Sequence, residues 1–224
     1  MPDYDAILFD NDGVLVEPPA DATLRRAAES AFRAVGVQSP AEEHLADVLR
    51  GVTPESLRAV CGAYDLNPDE FWTARDRHAS EAQRGEFREG TRARYDDVAA
   101  LADLDHDFGI VSSNQHATIE FILDHCEFRD LFGTHYGREM GVESLDKKKP
   151  NPHYLDRALA DLGADSALYV GDSESDVVAA HRAGLDSAFV RRDHCEGVEL
   201  SVEPTYEVRD LWGITEIADG RSRR

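Results

Sequence analysis

Residues 6–14 read Ala-Ile-Leu-Phe-Asp-Asn-Asp-Gly-Val, and they limit the architecture of this chain more than any other stretch. Ile7, Leu8 and Phe9 form a short continuous apolar run, the pattern of a strand covered on both faces within a parallel sheet. The run stops at Asp10. Asp12 follows two residues on, and Gly13 supplies a position where positive φ or close backbone approach meets no side chain. Open α/β sheets place their ligands at the carboxyl ends of strands, so Asp10 and Asp12 are candidates for a binding or catalytic site. Asp, Asn and Gly are also ordinary turn formers, and these nine residues alone fit a plain polar turn equally well. The rest of the chain decides.

Between the first strand and about residue 90 no convincing strand pattern occurs. Residues 21–35 read as an amphipathic helix closed by Gly36. Three further helix starts follow at Ser39-Pro40, Thr53-Pro54 and Asn67-Pro68, each a capping residue with proline at the first helical position. Asn67 and Glu70 also have capping-box spacing. This predicts an all-helical insert over residues 17–90, with the polar stretch 84–91 as its return linker. From there strands and helices alternate. Helices are expected over 95–104, 118–126, from Asn151-Pro152, over 175–183 and from Leu211. Strands are expected over 108–111, 135–138, 167–170, 188–190 and 206–208. Such alternation implies a doubly wound, mainly parallel α/β sheet joined by right-handed crossovers. Residues 1–16 and 91–224 would form that core. The terminal Arg-Ser-Arg-Arg is expected to be disordered.

Three of the expected strands end in polar clusters: Asp10 with Asp12, Ser112 with Ser113, and Asp172. In a parallel sheet these ends share one edge. If Asp10, Asp12, Asp172 and Asp176 converge there, each pair of carboxylates at about 4 Å repels by roughly 4 kcal/mol even at an effective dielectric of 20. Such a cluster needs a cation. An all-oxygen donor set favours Mg²⁺, which readily shares its shell with a phosphate. Ser112 and a lysine would then offer a hydroxyl donor and a fixed positive charge to the remaining phosphate oxygens.

Charge composition sharpens the choice of lysine. The chain has 45 acidic and 24 basic residues, a net charge of −21, which argues against nucleic acid or anionic membranes as partners. Its only lysines are the consecutive Lys147, Lys148 and Lys149. Acids spread over the chain with lysine almost removed resemble the cytoplasmic proteins of extreme halophiles, where molar salt shortens the Debye length to about 3 Å. No apolar run approaches a membrane span, and the first residues lack the basic and apolar regions of a signal peptide. Cys61, Cys126 and Cys195 are far apart with no Cys-x-x-Cys pair, as free thiols in a reducing compartment would be. Together these imply a cytoplasmic protein. The nine histidines show no pair at i, i+4, so zinc is not expected.

The arrangement resembles the haloacid dehalogenase-like hydrolase superfamily, in its phosphatase branch. Four stretches carry the resemblance in order: Asp10-Asn11-Asp12-Gly13-Val14, Ser112 at a strand end, Lys149-Pro150-Asn151-Pro152, and Gly171-Asp172-Ser173-Glu174-Ser175-Asp176. The resemblance implies Asp10 as nucleophile, forming an aspartyl-phosphate. It implies Asp12 as general acid/base, with its backbone carbonyl facing the metal. Ser112 would hydrogen-bond the transferring phosphoryl group, with Ser113 as the alternative. Lys149 would pair with Asp10 and the phosphate, while Lys147 and Lys148 would be solvated. Asp172 would hold Mg²⁺, with Asp176 supporting the metal's loop or its waters. The helical insert matches the cap that this superfamily places after its first motif. Its candidate substrate contacts are His44, Arg50, Arg58, Trp72, Arg75 and His78.

Asp12 stands where dehalogenases of the superfamily carry a non-acidic residue, so phosphate chemistry is expected rather than dehalogenation. Glu17-Pro18-Pro19 stands where relatives often continue with Asp-Ser or Asp-Thr, which counts against a β-phosphoglucomutase. Phosphoglycolate phosphatase stays open, because its identity lies in the cap. The expected function is a Mg²⁺-dependent phosphatase for a small phosphorylated metabolite. Alternatives are a phosphomutase or phosphonate-cleaving enzyme on the same scaffold, or a receiver-like module that accepts phosphate without turnover.

Overall fold

In the computed structural model, which describes residues 4–49 and 51–218, strand β1 (Ala6–Phe9) is buried along its whole length. Ile7 and Phe9 pack into one apolar cluster and Ala6 and Leu8 into another. This is the two-residue period of a strand with both faces covered. The other strands are β2 (Asp107–Gln115), β3 (Thr134–Arg138), β4 (Ala167–Gly171), β5 (Asp186–Val190) and β6 (Tyr206–Val208). Among the described residues they form one parallel sheet in the order β3-β2-β1-β4-β5-β6. Chain order runs outward from β1 in one direction to β3, then resumes on its other side at β4. The ends of β1 and β4 therefore flank the switch point, where doubly wound sheets hold their ligands.

Among the described residues four α-helices fall between β1 and β2: α1 (Asp21–Ala34), α2 (Glu42–Asp47), α3 (Pro54–Ala63) and α4 (Pro68–Arg88). They close over their own apolar cluster, which includes Phe32, Leu45, Leu57, Phe71 and Trp72. The face of α4 that meets the α/β layer is different. Asp76, Ser80, Gln83 and Glu86 are all buried on it. Thr118 donates to Ser80 Oγ at 2.8 Å, Gln115 Nε2 to Asp76 Oδ1 at 3.1 Å, and Asn114 Nδ2 to Gln83 Oε1 at 2.7 Å. The insert thus meets the sheet layer through a buried, hydrogen-bonded seam, which demands specific partners.

After β2 come α5 (His116–His125), α6 (His153–Leu162), α7 (Glu174–Arg182) and α8 (Leu211–Ala218). No helix among the described residues is long and apolar enough to cross a membrane. The free cysteines are unpaired by disulfides, with Cys61 and Cys195 buried. The Arg-Ser-Arg-Arg tail and Arg50 lie outside the described residues.

Several boundaries differ from the sequence expectation. The helix expected from Ser39-Pro40 begins at Glu42, because Ala41 takes the extended cap conformation and Glu42 and Glu43 fill the first turn. Thr53 caps α3 in a reciprocal box with Ser56, whereas Asn67 accepts from the backbone of Asp69 and Glu70 without a reciprocal bond from Glu70. The stretch 84–88, expected as linker, stays helical. Gln83, Glu86 and Phe87 are buried there, and that packing offsets the ~1 kcal/mol cost of Gly85 in a helix. Residues 96–103 form 3₁₀ turns in place of the expected α-helix. Strand β2 continues past Val111 to Gln115, with a register shift against β3 between those two residues. Serines 112 and 113 therefore lie within an irregular strand end.

Candidate active site

Asp10 leaves β1 with its backbone N–H donating to Val170 of β4 at 2.8 Å. Lys149, from the loop before α6, reaches it from the side: its Nζ lies 2.9 Å from Asp10 Oδ2 and 2.6 Å from Asp176 Oδ1. The ammonium also donates to Val111 O and to the Tyr169 hydroxyl. With 4% of its side chain exposed, Lys149 is a buried charge satisfied on every side. Burial works against this ammonium, but Asp10 and Asp176 outweigh it and hold its pKa above the ordinary lysine value.

Asp176 is held by local geometry. Its Oδ2 accepts from Asp172 N at 3.2 Å, Ser173 N at 3.0 Å and Ser173 Oγ at 2.6 Å. A carboxylate in the first turn of α7 is also favoured by the helix dipole. Two glycines let these groups close together. A Cβ on Gly171 would lie 2.2 Å from Asp176 Cβ, and one on Gly13, where φ is +82°, would lie 1.9 Å from Asp172 Oδ2. Asp172 Oδ2 in turn contacts His194 Nε2 at 2.6 Å.

Asp10, Asp172 and Asp176 each offer a carboxylate oxygen, and these oxygens lie within 4.8 Å of one another. Burial first, and then Asp176, Asp172 and Asp12, push the Asp10 carboxyl up to about 8 against the opposing pull of Lys149. Burial likewise raises Asp172. Three converging acids with one buried ammonium leave excess negative charge, and their hard oxygen donors fit Mg²⁺.

Asp12 faces another way. Its Oδ1 accepts from Asn11 Nδ2 at 2.8 Å and from Arg92 Nη2, and its Oδ2 accepts from Asn114 Nδ2 at 2.7 Å. Arg92 is buried and also donates to Glu17 O and Gln83 Oε1. One guanidinium thereby ties both connections of the insert, and α4, to Asp12. Asn114 closes the polar strand end Ser112-Ser113-Asn114, whereas Arg92 is marked by no local motif.

A cavity of about 500 Å³ opens onto these groups. Asp12, Asp172, Ser113, Asn114 and His194 line it from the sheet side, and Trp72 and Arg75 from the insert. Ser112 is buried, and its Oγ accepts from Asn114 N at 3.2 Å. Of the insert residues singled out in the sequence, His44 bonds the Tyr64 hydroxyl at 2.8 Å, Arg58 is exposed, and His78 lines a separate surface cavity. Lys148, expected to be solvated, is half-buried: its Nζ donates to Val52 O, and it lines the cavity. A larger cavity of about 1070 Å³ shares Pro18 and His194 with this one; Arg191 in its wall is neutralised by Glu207.

The histidine spacing expectation is overtaken by tertiary structure. His116, Glu120 and His135 converge from α5 and β3. The backbone N–H of Gly137 donates to His116 Nδ1 at 3.2 Å. In the neutral ring Nε2 therefore carries the proton. Arg129 also occupies Glu120 at 2.7 Å. The cluster reads as an ion-pair network.

The model of the haloacid dehalogenase-like hydrolase family matches residues 7–190. A phosphoglycolate phosphatase of Vibrio cholerae is 28% identical over 94% of this chain and 95% of its own length. The pyrophosphatase PpaX of Bacillus cereus is 27% identical over 82% of each chain. The solved structure of CbbY from Rhodobacter sphaeroides in complex with phosphate superposes with a TM-score of 0.71 at 21% identity, covering 94% of this chain and 96% of that one.

Proposed function

The chain belongs to the haloacid dehalogenase-like hydrolases, and from that premise we propose that it is a Mg²⁺-dependent phosphatase acting on a small phosphorylated metabolite through an aspartyl-phosphate. The reading rests above all on one observation: a buried ammonium joins Asp10 to Asp176 at the end of β1, with Asp172 alongside. The phosphatase and pyrophosphatase named among the relatives support phosphorus chemistry.

In this reading an Asp10 carboxylate oxygen attacks phosphorus, forming the acyl-phosphate bond as the ester P–O bond breaks. Asp12 gives its proton to the leaving oxygen. It then takes a proton from water, whose oxygen attacks phosphorus and releases Asp10 and inorganic phosphate. Asn114 and Arg92 hold Asp12 in place for both steps. Lys149 keeps Asp10 oriented and balances the charge of the phosphoryl oxygens, and Ser112 or Ser113 donates to one of them. Asp10, Asp172, Asp176 and the Asp12 backbone carbonyl would hold Mg²⁺, which when bound neutralises carboxylates and phosphoryl oxygens. The helices over 17–90 act as a cap that excludes water and selects the substrate. Composition supports a cytoplasmic protein of a high-salt cell.

The test is release of inorganic phosphate from an aryl phosphate in molar KCl, with and without Mg²⁺. Wild type should require the metal, and Asp10→Asn should lose turnover by on the order of 10⁴-fold or more while keeping its circular dichroism spectrum. Wild-type turnover in Asp10→Asn would rule out the covalent route.

A further inference from the structure

The wall of the cavity beside Trp72 carries the opposite charge to the carboxylate cluster. Arg75 of α4, Arg138 at the end of β3 and Lys148 all line it, in a protein whose net charge is −21. One carboxylate, Asp76, is buried among them. Arg138 grips it through two nitrogens, at 2.8 and 2.5 Å. That pair is closed. Arg75 uses Nε and Nη2 on the carbonyls of Val48 and Leu49, and its Nη1 has only a 3.4 Å contact with Asp76. Lys148 bonds a single carbonyl, that of Val52.

A second observation points the same way. Trp72 is buried and lines the cavity, yet its indole N–H has no acceptor among the described residues. An indole N–H only donates, and a buried donor without an acceptor is costly. The Arg75 and Arg138 guanidiniums lie 4.9 and 5.3 Å from the Trp72 ring centroid. This wall therefore offers donors and positive charge with too few acceptors. Burial, and then Arg138 and Arg75, depress Lys148 to about 8 against the weaker pull of Asp76. Burial is the larger cause, and the two guanidiniums add to it more than Asp76 offsets.

We propose that Arg75, Lys148 and Trp72 form a subsite for a second anionic group of the substrate, a carboxylate or a phosphate, so that the preferred substrates are phosphate esters carrying two separated anionic groups. The inference rests on the phosphatase reading for which group is transferred, and adds what the other end of the substrate must be. A cavity of about 500 Å³ has room for such a molecule. Arg138 acts through Asp76 and is a positioning residue.

Three matched compounds test this: 2-hydroxyethyl phosphate with one anionic group, 2-phosphoglycolate with an added carboxylate, and ethanediol bisphosphate with an added phosphate. At fixed KCl and Mg²⁺, kcat/KM for the better two-anion compound should exceed that for 2-hydroxyethyl phosphate by about 10- to 100-fold, the range of one charge-assisted hydrogen bond. Which of the two leads identifies the group. Arg75→Met and Lys148→Met should each cut that ratio by roughly fivefold or more, and Trp72→Phe, which keeps the packing and removes the N–H, by roughly threefold. Calorimetric binding of the same compounds to Asp10→Asn reads the ratio without turnover. Selective binding with no turnover in wild type would count against the phosphatase reading alone. Equal affinity for all three compounds, or ratios untouched in folded Arg75→Met and Trp72→Phe, would overturn the subsite.

Discussion

Two walls of the same cavity are built on one plan with the charges exchanged. At the ends of β1 and β4, Lys149 is buried against Asp10 and Asp176, with Asp172 beside them. Around Trp72, Asp76 is buried with Arg138, with Arg75 and Lys148 beside them. In each, a single countercharge is fully enclosed and the excess faces the cavity. The supports differ. The carboxylates stand on strand ends and the first turn of α7, which fix positions closely, as bond-making requires. The cations are divided between α4 of the insert and the loop after β3, and the Asp76–Arg138 pair bridges the two. In the proposed function the chemistry would sit on the sheet layer, and in the proposed subsite recognition would straddle the boundary. A metal and a phosphoryl group suit the first excess, and a further anion suits the second.

The sharpest way to separate the two walls is to remove the countercharge of the first. Lys149→Ala should cost turnover by at least about 10³-fold, measured as phosphate release in molar KCl. Lys149→Arg should fail similarly, because a planar fork does not replace a compact ammonium between two carboxylates. Lys147→Ala should stay within about twofold of wild type. Equal activity across all three variants would take Lys149 out of the mechanism.

Removing the countercharge of the second wall should be felt in stability. Asp76→Ala leaves the Arg138 guanidinium buried and unpaired, a loss of about 3–5 kcal/mol in urea unfolding. The double variant Asp76→Ala/Arg138→Met should recover part of it. If the double variant is no more stable than the single one, the pair is not what Asp76 contributes.

A smaller effect follows from Lys148. Its pKa lies near 8, below its ordinary value, so it is charged below that pH and neutral above it. KM for a two-anion substrate should therefore rise by roughly tenfold between pH 7 and 9. Arg75, Arg138 and Asp76 face the same group, and Lys148→Met separates its titration from theirs. A break near pH 8 that survives in Lys148→Met assigns the titration elsewhere.

Salt should act on the surface and barely on either wall. Lowering KCl from molar to about 0.1 M lengthens the Debye length from about 3 to 10 Å, and with a net charge of −21 wild type should unfold, followed by circular dichroism. The stability difference between wild type and Asp76→Ala should change by less than about 1 kcal/mol across the folded range of salt, because buried pairs are weakly screened. A wild type stable in dilute buffer would remove the high-salt reading. A strongly salt-dependent difference would show the second wall to be solvent-exposed.

The first wall was far more legible than the second. Asp10 and Asp12 follow an apolar run directly, and Asp172 and Asp176 sit four apart where a strand meets a helix. Contiguous signals of this kind survive in one dimension. The second wall has no such mark. Arg75 and Trp72 are two of six candidate contacts that the sequence offers on the insert, with nothing to separate them from His44, Arg58 or His78. Lys148 is expected in solvent beside its buried neighbour, and Asp76 and Arg138 stand 62 positions apart. Arg92 is 80 positions from Asp12, and nothing near either residue announces the other.

What the sequence by itself determined is the α/β class, the helical character of the insert and the edge of the sheet at which the acids gather. Those follow from apolar periodicity and from capping and turn residues, which act over a few positions. Apart from Lys149 with Asp10, a pair that the family resemblance implies, only the tertiary structure decided which charges meet. The helix α4 holds through Gly85 because buried residues at 83, 86 and 87 pack there, and this brings Gln83 to Asn114. The irregular end of β2 carries Asn114 to Asp12, and the end of β3 carries Arg138 to Asp76. Buried charges are matched through space over a few ångströms, and chain separation places no limit on which partners those are.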